Sequence, residues 1–366
     1  MTTNKNTRSV KMDIIRLFAL YTVTGVHFLL FTKFLGHPIN SPRMYIMTVM
    51  RTFFMICVPL FIMLSGYLMK NKKLSGKYYT GIIKTLAIYV LASVVNYLYR
   101  VLYVKEDISI LSMGTGILDF SLAPYAWYVE MYIGLFLLIP FLNLIYNNLE
   151  SKNHKLMLIA TMVFLTAMPA VVNVWNLYTP GFFAMPSISK NYNKLIPAWW
   201  TGIYPVTYYF IGCYLREYGL NISKIKNFIL LVATVLAGGL FNIYRSYPNC
   251  FSGGAWQNWG SLINVINATL VFNLLLGIND SKIPTALHKP LKALSDATFG
   301  AYLVSWIFDD FFYAKLVAAV PDMPMRLNWF PVMPLLTFVC ALAASLVLNA
   351  IYRVGYGVVA KAFAKK

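Results

Sequence analysis

Arg16 and His27 stand eleven residues apart in one apolar stretch, MDIIRLFALYTVTGVHFLLF. At about 100° per residue that separation amounts to about three turns plus 20°, so both side chains leave the same face of one helix. At about 1.5 Å per residue they lie roughly 16 Å apart along its axis. A titratable imidazole and a guanidinium are costly in hydrocarbon, and such groups mark a polar pathway or site by default. An imidazole beside a carboxylate gains a fixed tautomer and the basic character that a general base requires. A guanidinium holds phosphates or carboxylates through paired, charge-assisted hydrogen bonds.

Other polar groups fall at two heights when residues are counted along each apolar segment. An inner layer, within roughly 10 Å of one membrane face, holds Asp13, Arg16, Ser65, Tyr67 and Lys84, with Lys70, Lys72, Lys73 and Lys77 just below it. An outer layer, roughly 20 Å up, holds His27, Arg51, Glu130 and Asp309, with Asp310 beside the last. Plainer readings stand next to the functional one. Arg16 and Lys84 could snorkel to headgroups, Asp13 could simply pair with Arg16 at i,i+3, and His27 could be an interhelical hydrogen bond. Arg51, Glu130 and Asp309 could sit at the outer interface. Taken together, the layers describe a tunnel with a basic mouth and a His-containing centre. A long anionic molecule such as an acyl-coenzyme A, with phosphates at one end and a thioester on a flexible arm, has the matching shape. These residues allow that ligand without selecting it.

The elements that must position these groups are helices in a bilayer. The chain has 366 residues, 59% of them hydrophobic and only 12% charged. Its long apolar runs, broken by short polar clusters, predict an all-α polytopic transmembrane bundle. The alternating ten-residue segments of a membrane barrel are missing. Ten spans are expected, at about 12–34, 46–69, 78–101, 124–147, 156–176, 200–216, 226–246, 258–278, 296–317 and 332–354; the sixth is short and interrupted by Pro205. The first is too long and too polar for a cleaved signal peptide and is expected to stay. Most of the 31 Lys and Arg residues fall in the N-terminal tail, 70–77, 148–155, 216–226, 279–295 and the C-terminal end, which predicts both termini in the cytoplasm. The net charge of +19 is accounted for by loops near anionic lipid headgroups, so membrane lipids are the expected partners and nucleic acid is not. The four cysteines, Cys57, Cys213, Cys250 and Cys340, have no metal-site spacing. A single membrane domain over 1–366 is expected. The outer loop 177–199, with Pro180, Pro186 and Pro197, reads equally as a lid, a re-entrant segment or an ordered cap. No internal repeat is visible, which weakens a transporter built from repeated halves.

Four segments in order resemble one family. The first is MDIIRLFALYTVTGVHF, with ten residues between Arg16 and His27. The second is VPLFIMLSGYLM (58–69), with its Ser-Gly-Tyr. AWYVEMYIGLFLLIPFLN (126–143) and LSDATFGAYLVSWIFDDFF (294–312) complete the set. Together they resemble the bacterial integral-membrane acyltransferase family 3 over most of the chain. The resemblance implies transfer of an acyl group, most often acetyl from acetyl-CoA, to a hydroxyl of a cell-surface or lipid-linked glycan, in a multi-pass protein of the bacterial cytoplasmic membrane. It makes His27 the catalytic histidine and Arg16 its partner. Asp13 takes the acidic position before that arginine. Ser65, Gly66 and Tyr67 match the second motif, Trp127 the third and Tyr302 the late tyrosine.

Two features depart from the family pattern. Many members carry a histidine soon after the late tyrosine, where this chain has Ser305; Asp309, one turn further, is the candidate substitute. The basic cluster from Lys70 to Lys84 is lysine-based where many members use arginine, and lysine binds phosphate as a point charge. The expected mechanism has acyl-CoA held by Arg16, Lys84, Ser65 and Tyr67. His27 acts as general base, oriented by Glu130 or Asp309, or carries the acyl group itself. Arg51, Trp127 and Tyr302 are the candidates for oxyanion or acceptor contacts. The rival from another class is a transporter or flippase for a polar or glycolipid substrate.

Overall fold

The computed structural model describes residues 9–363, with side chains through 357. The outermost residues of the basic N- and C-terminal ends lie outside the described residues. The α-helices run in chain order as α1 (Val10–Phe31), α2 (Pro42–Phe54), α3 (Cys57–Met69), α4 (Gly76–Thr80), α5 (Ile83–Tyr99), α6 (Ile110–Leu118) and α7 (Trp127–Asn147). They continue as α8 (Lys152–Thr166), α9 (Pro169–Val172), α10 (Tyr204–Glu217), α11 (Lys224–Ser246), α12 (Leu262–Leu276), α13 (Thr285–Ala319) and α14 (Met333–Phe363). No strand occurs among the described residues, only an isolated bridge between Pro38 and Cys250.

Local sequence sets the helix starts. The hydroxyls of Ser75, Ser109, Ser151, Ser223 and Ser261 accept from the backbone N–H three residues on, opening α4, α6, α8, α11 and α12. Each satisfies an orphan donor of the first turn. Pro42 and Pro169 begin α2 and α9, where a missing N–H costs nothing.

Among the described residues, eight helical segments are long and apolar enough to cross a membrane. The expected segments 200–216 and 296–317 are not among them. In the first, α10 is only 14 residues long. In the second, α13 carries Asp296, Asp309 and Asp310. Both are interior elements, which explains their composition. From Thr207 to Leu215, α10 is buried without a break, and it packs on α3. In turn, α13 packs on α1, α5 and α14. A helix surrounded by protein needs neither lipid-matching length nor an apolar surface.

The α3–α10 contact explains part of the Ser-Gly-Tyr motif. A Cβ at Gly66 would collide with the carbonyl oxygen of Tyr209, and one at Gly212 with that of Met63. The two backbones touch, as membrane helices do where small residues meet.

Helix α1 is tied to the flanks of α13 at both ends. At the start, Asp280 accepts from the Ser9 hydroxyl at 2.6 Å and from the Lys11 N–H at 2.8 Å. At the far end, Arg326 donates to the carbonyls of Thr32 (2.7 Å), Val320 (2.8 Å) and Pro321 (3.0 Å). Thr32 caps α1 and Val320 caps α13. These ties fix the register of the two helices that carry His27 and Asp309.

The segment 177–199 is an ordered cap. Asn173 and Asn176 bond its backbone at Leu195, Ile196, Tyr178 and Thr179, and Phe182 is fully buried. Beneath it lies Arg245, in the last turn of α11. Its guanidinium is 0% exposed, within 4.2 Å of the Trp256 ring centroid and 4.8 Å of that of Tyr192. Aromatic faces stabilise a cation that has lost its water.

Candidate active site

His27 sits in the last third of α1, 7% exposed, and Asp309 on α13 is 0% exposed. Nδ1 of His27 lies 2.7 Å from Oδ2 of Asp309. This is ion-pair distance, although the ring is turned away from a linear hydrogen bond and Oδ1 of Asp309 has no protein partner among the described residues. The Tyr125 hydroxyl donates to the same Oδ2 at 2.8 Å. Its ring lies against the imidazole, with centroids 4.2 Å apart and planes 30° from parallel. Phe31 meets the imidazole edge-on at 6.4 Å. A tenth of the His27 side chain remains open.

Tyr125 was not among the sequence candidates. It lies in the turn before α7, two residues ahead of Trp127, where no helical periodicity relates it to α1 or α13. Only the fold brings it to Asp309.

A cavity of about 400 Å³ opens at the end of the bundle that carries Arg16, Ser65 and Lys72, and runs inward to Val23, Tyr128 and Tyr302. Its walls are mostly apolar. Val23 is four residues before His27, or about 6 Å lower on the same helix. A second chamber of about 240 Å³ adjoins it, lined by Arg16, Lys84, Ser295, Asp296 and Asn349. Arg16 borders both. Its Nη1 is 3.4 Å from Oδ1 of Asp13 and 3.3 Å from the Ser295 hydroxyl, and its side chain is 27% exposed.

The remaining candidates divide between this region and others. Tyr302 borders the deep end of the cavity. Ser65 donates to the Phe61 carbonyl at 3.0 Å. Tyr67 faces Phe272 and carries the Arg216 guanidinium over its ring, 5.6 Å from the centroid; it does not border the cavity. Arg51 turns away from His27: its Nε donates to Gln257 at 3.2 Å and its guanidinium lies over Phe251. Glu130 is exposed on the first turn of α7 and forms no ion pair among the described residues. Trp127 stacks on Trp259 at 6.0 Å. Asp310 accepts from the Tyr99 hydroxyl at 2.8 Å, on another face of α13 from Asp309. Of the four ionisable groups read at one height, the fold pairs His27 with Asp309 and places Arg51 and Glu130 elsewhere.

Residues 9–354 match the family model described as an acyltransferase domain, acyltransferase family 3. The chain belongs to that family. It is a multi-pass membrane acyltransferase, and the match covers the helices that carry Arg16, His27 and Asp309. No curated protein and no solved structure matches the chain.

Where the resemblance leads to a histidine after the late tyrosine, this acyltransferase has Ser305. The Ser305 hydroxyl donates to the Tyr302 carbonyl at 2.9 Å and so bonds within its own helix. Asp309, one turn on, meets His27.

Proposed function

We propose that the chain transfers a short acyl group, with acetyl as the first candidate, from acyl-CoA to a hydroxyl of a cell-surface or lipid-linked glycan, using His27 as general base. The acyl-CoA enters from the cytosol, through the mouth marked by Arg16 and Lys72, in a protein of the cytoplasmic membrane whose termini face the cytosol. The observation that carries this reading is the imidazole of His27 held beside the buried carboxylate of Asp309, one helical turn along α1 from Val23, which lines that cavity.

The carboxylate beside Nδ1 favours the tautomer with its proton there and leaves Nε2 as the acceptor. The cavity is of the size that small-molecule sites have and suits a pantetheine arm. Arg16, Lys84 and Lys72 then meet the CoA phosphates. The acceptor oxygen attacks the thioester carbonyl carbon while Nε2 takes its proton. The tetrahedral oxyanion collapses, the C–S bond breaks, and the CoA thiolate takes the proton from the imidazolium. The products are the O-acyl ester and free CoA. Of the three donors considered for the oxyanion, Tyr302 borders the cavity and Arg51 and Trp127 do not. Tyr125 holds Asp309 through its hydroxyl and the imidazole through its ring, so it acts as a positioning residue.

The decisive experiment is His27→Ala. Membranes containing the variant at wild-type level should transfer no radiolabelled acetyl from acetyl-CoA to endogenous glycan. Wild-type transfer by that variant would refute the base assignment.

A further inference from the structure

Two buried tyrosines meet in the cavity wall, on the same side as Val23 and away from Arg16 and Lys72 along their helices. Tyr128 and Tyr302 have ring centroids 5.6 Å apart and planes at 69°. Tyr302 in turn lies 5.9 Å from Tyr125, the ring that covers His27. Tyr128 also packs against Phe61 and Tyr132, which line the same cavity. Both wall residues are buried.

Reaction geometry places the thioester at this wall. An acceptor oxygen lies about 3 Å from the base that deprotonates it. The carbon it attacks lies about 3–3.5 Å further on. The carbonyl therefore sits roughly 6 Å from the imidazole nitrogen, and the cavity reaches Val23, one helical turn before His27 on α1. With the pantetheine arm filling the cavity behind it and the acceptor in front, the acyl tail has one direction left, toward the two tyrosine rings.

We infer that Tyr128 and Tyr302 form the wall that limits the transferred acyl group to a short chain, with Tyr128 as a specificity-determining residue. This rests on the acyl-CoA reading above and adds a named determinant to it. Tyr128 is the better handle, because Tyr302 is also the oxyanion candidate. Removing the Tyr128 ring opens space where a longer chain would extend, and each methylene newly accommodated in an apolar pocket changes discrimination by about tenfold or more.

The test uses the full chain in membranes, with radiolabelled acetyl-, butyryl- and octanoyl-CoA, and follows label entering endogenous glycan and lipid. Wild type should strongly prefer acetyl. Tyr128→Ala should raise the octanoyl-to-acetyl ratio by at least about tenfold, and Tyr302→Phe, which keeps the ring, should leave the ratio unchanged even if the rate falls. Tyr128→Leu repeats the measurement if the alanine variant does not fold. A folded Tyr128 variant with the wild-type ratio overturns the wall, as does a Tyr302→Phe ratio that rises equally. A wild-type chain that transfers none of the three groups refutes the acyl-CoA reading, and the wall with it.

Discussion

Replacing Asp309 with Asn tests the site most sharply, because the change is nearly isosteric and removes one charge. In the folded protein Oδ2 of Asp309 lies 2.7 Å from Nδ1 of His27 and accepts the Tyr125 hydroxyl. The amide oxygen of Asn can still accept from Tyr125, so the packing survives. What is lost is the interaction between a fully buried carboxylate and the imidazolium that forms as the acceptor proton is taken. A hydrogen bond to a charged group contributes about 1.5–3 kcal/mol, which translates to roughly 10- to 150-fold in rate. If the amide N–H₂ also turns toward Nδ1 and inverts the tautomer, the loss approaches about 10⁴, as in hydrolases whose orienting Asp becomes Asn. The expected result is therefore a kcat reduced by about 10- to 10⁴-fold with KM for acetyl-CoA little changed, measured as radiolabelled acetyl transfer in membranes matched for protein content. A kcat within threefold of wild type would refute the claim that Asp309 activates His27, and would leave the 2.7 Å contact as packing alone.

Further outcomes follow from other contacts. Arg16→Ala should raise KM for acetyl-CoA about tenfold, the worth of one charge-assisted bond to phosphate, with kcat within a few-fold; an unchanged KM would mean that Arg16 only snorkels. Gly66→Ala should lower the thermal midpoint in detergent, because its Cβ meets the Tyr209 carbonyl and overpacking costs about 1–3 kcal/mol; a midpoint equal to wild type contradicts the close approach. Glu217, at the end of α10, would be raised by burial, but the hydrogen bonds from Lys155 and Lys70, each at 2.7 Å, outweigh this and hold its carboxyl at about 2. A carboxyl depressed on folding stabilises the fold fully above its ordinary value of 4.5 and loses that contribution as the pH falls through about 2. Wild type should thus exceed Glu217→Gln in thermal stability at pH 6, and the gap should close on acidification toward pH 2; a gap independent of pH would refute the coupling.

Residue type and axial height were legible in the sequence; rotation about each helix axis was not. The Arg16–His27 spacing fixes a shared face because one uninterrupted helix carries both. The same counting put Arg51, Glu130 and Asp309 level with His27, yet height says nothing about which way a side chain points on another helix. For Arg51 the obstacle is physical: the helical run breaks at Met55 and Ile56 between α2 and α3, so the face of Arg51 cannot be carried over from the Ser-Gly-Tyr segment. Gly66 carried a readable motif, but its reason, a backbone contact with α10, depends on a partner more than a hundred residues away. The cage of Arg245 was not legible, because its rings come from two distant stretches of chain, Phe182 and Tyr192 in 177–199 and Trp256 beyond α11. Asp309 was a candidate on two counts, its height level with His27 and Ser305 standing one turn earlier where the resemblance leads to a histidine, and the fold supplies what the spacing lacked. With α1 tied to α13 at Asp280 and at Arg326, neither helix can slide by a turn without breaking one clamp. The clamps thus do for this site what a longer conserved spacing would do in sequence: they fix which carboxylate on α13 stands opposite the imidazole. Loosening the outer clamp, by Arg326→Ala for instance, should therefore weaken catalysis from beyond the site, through a misplaced Asp309.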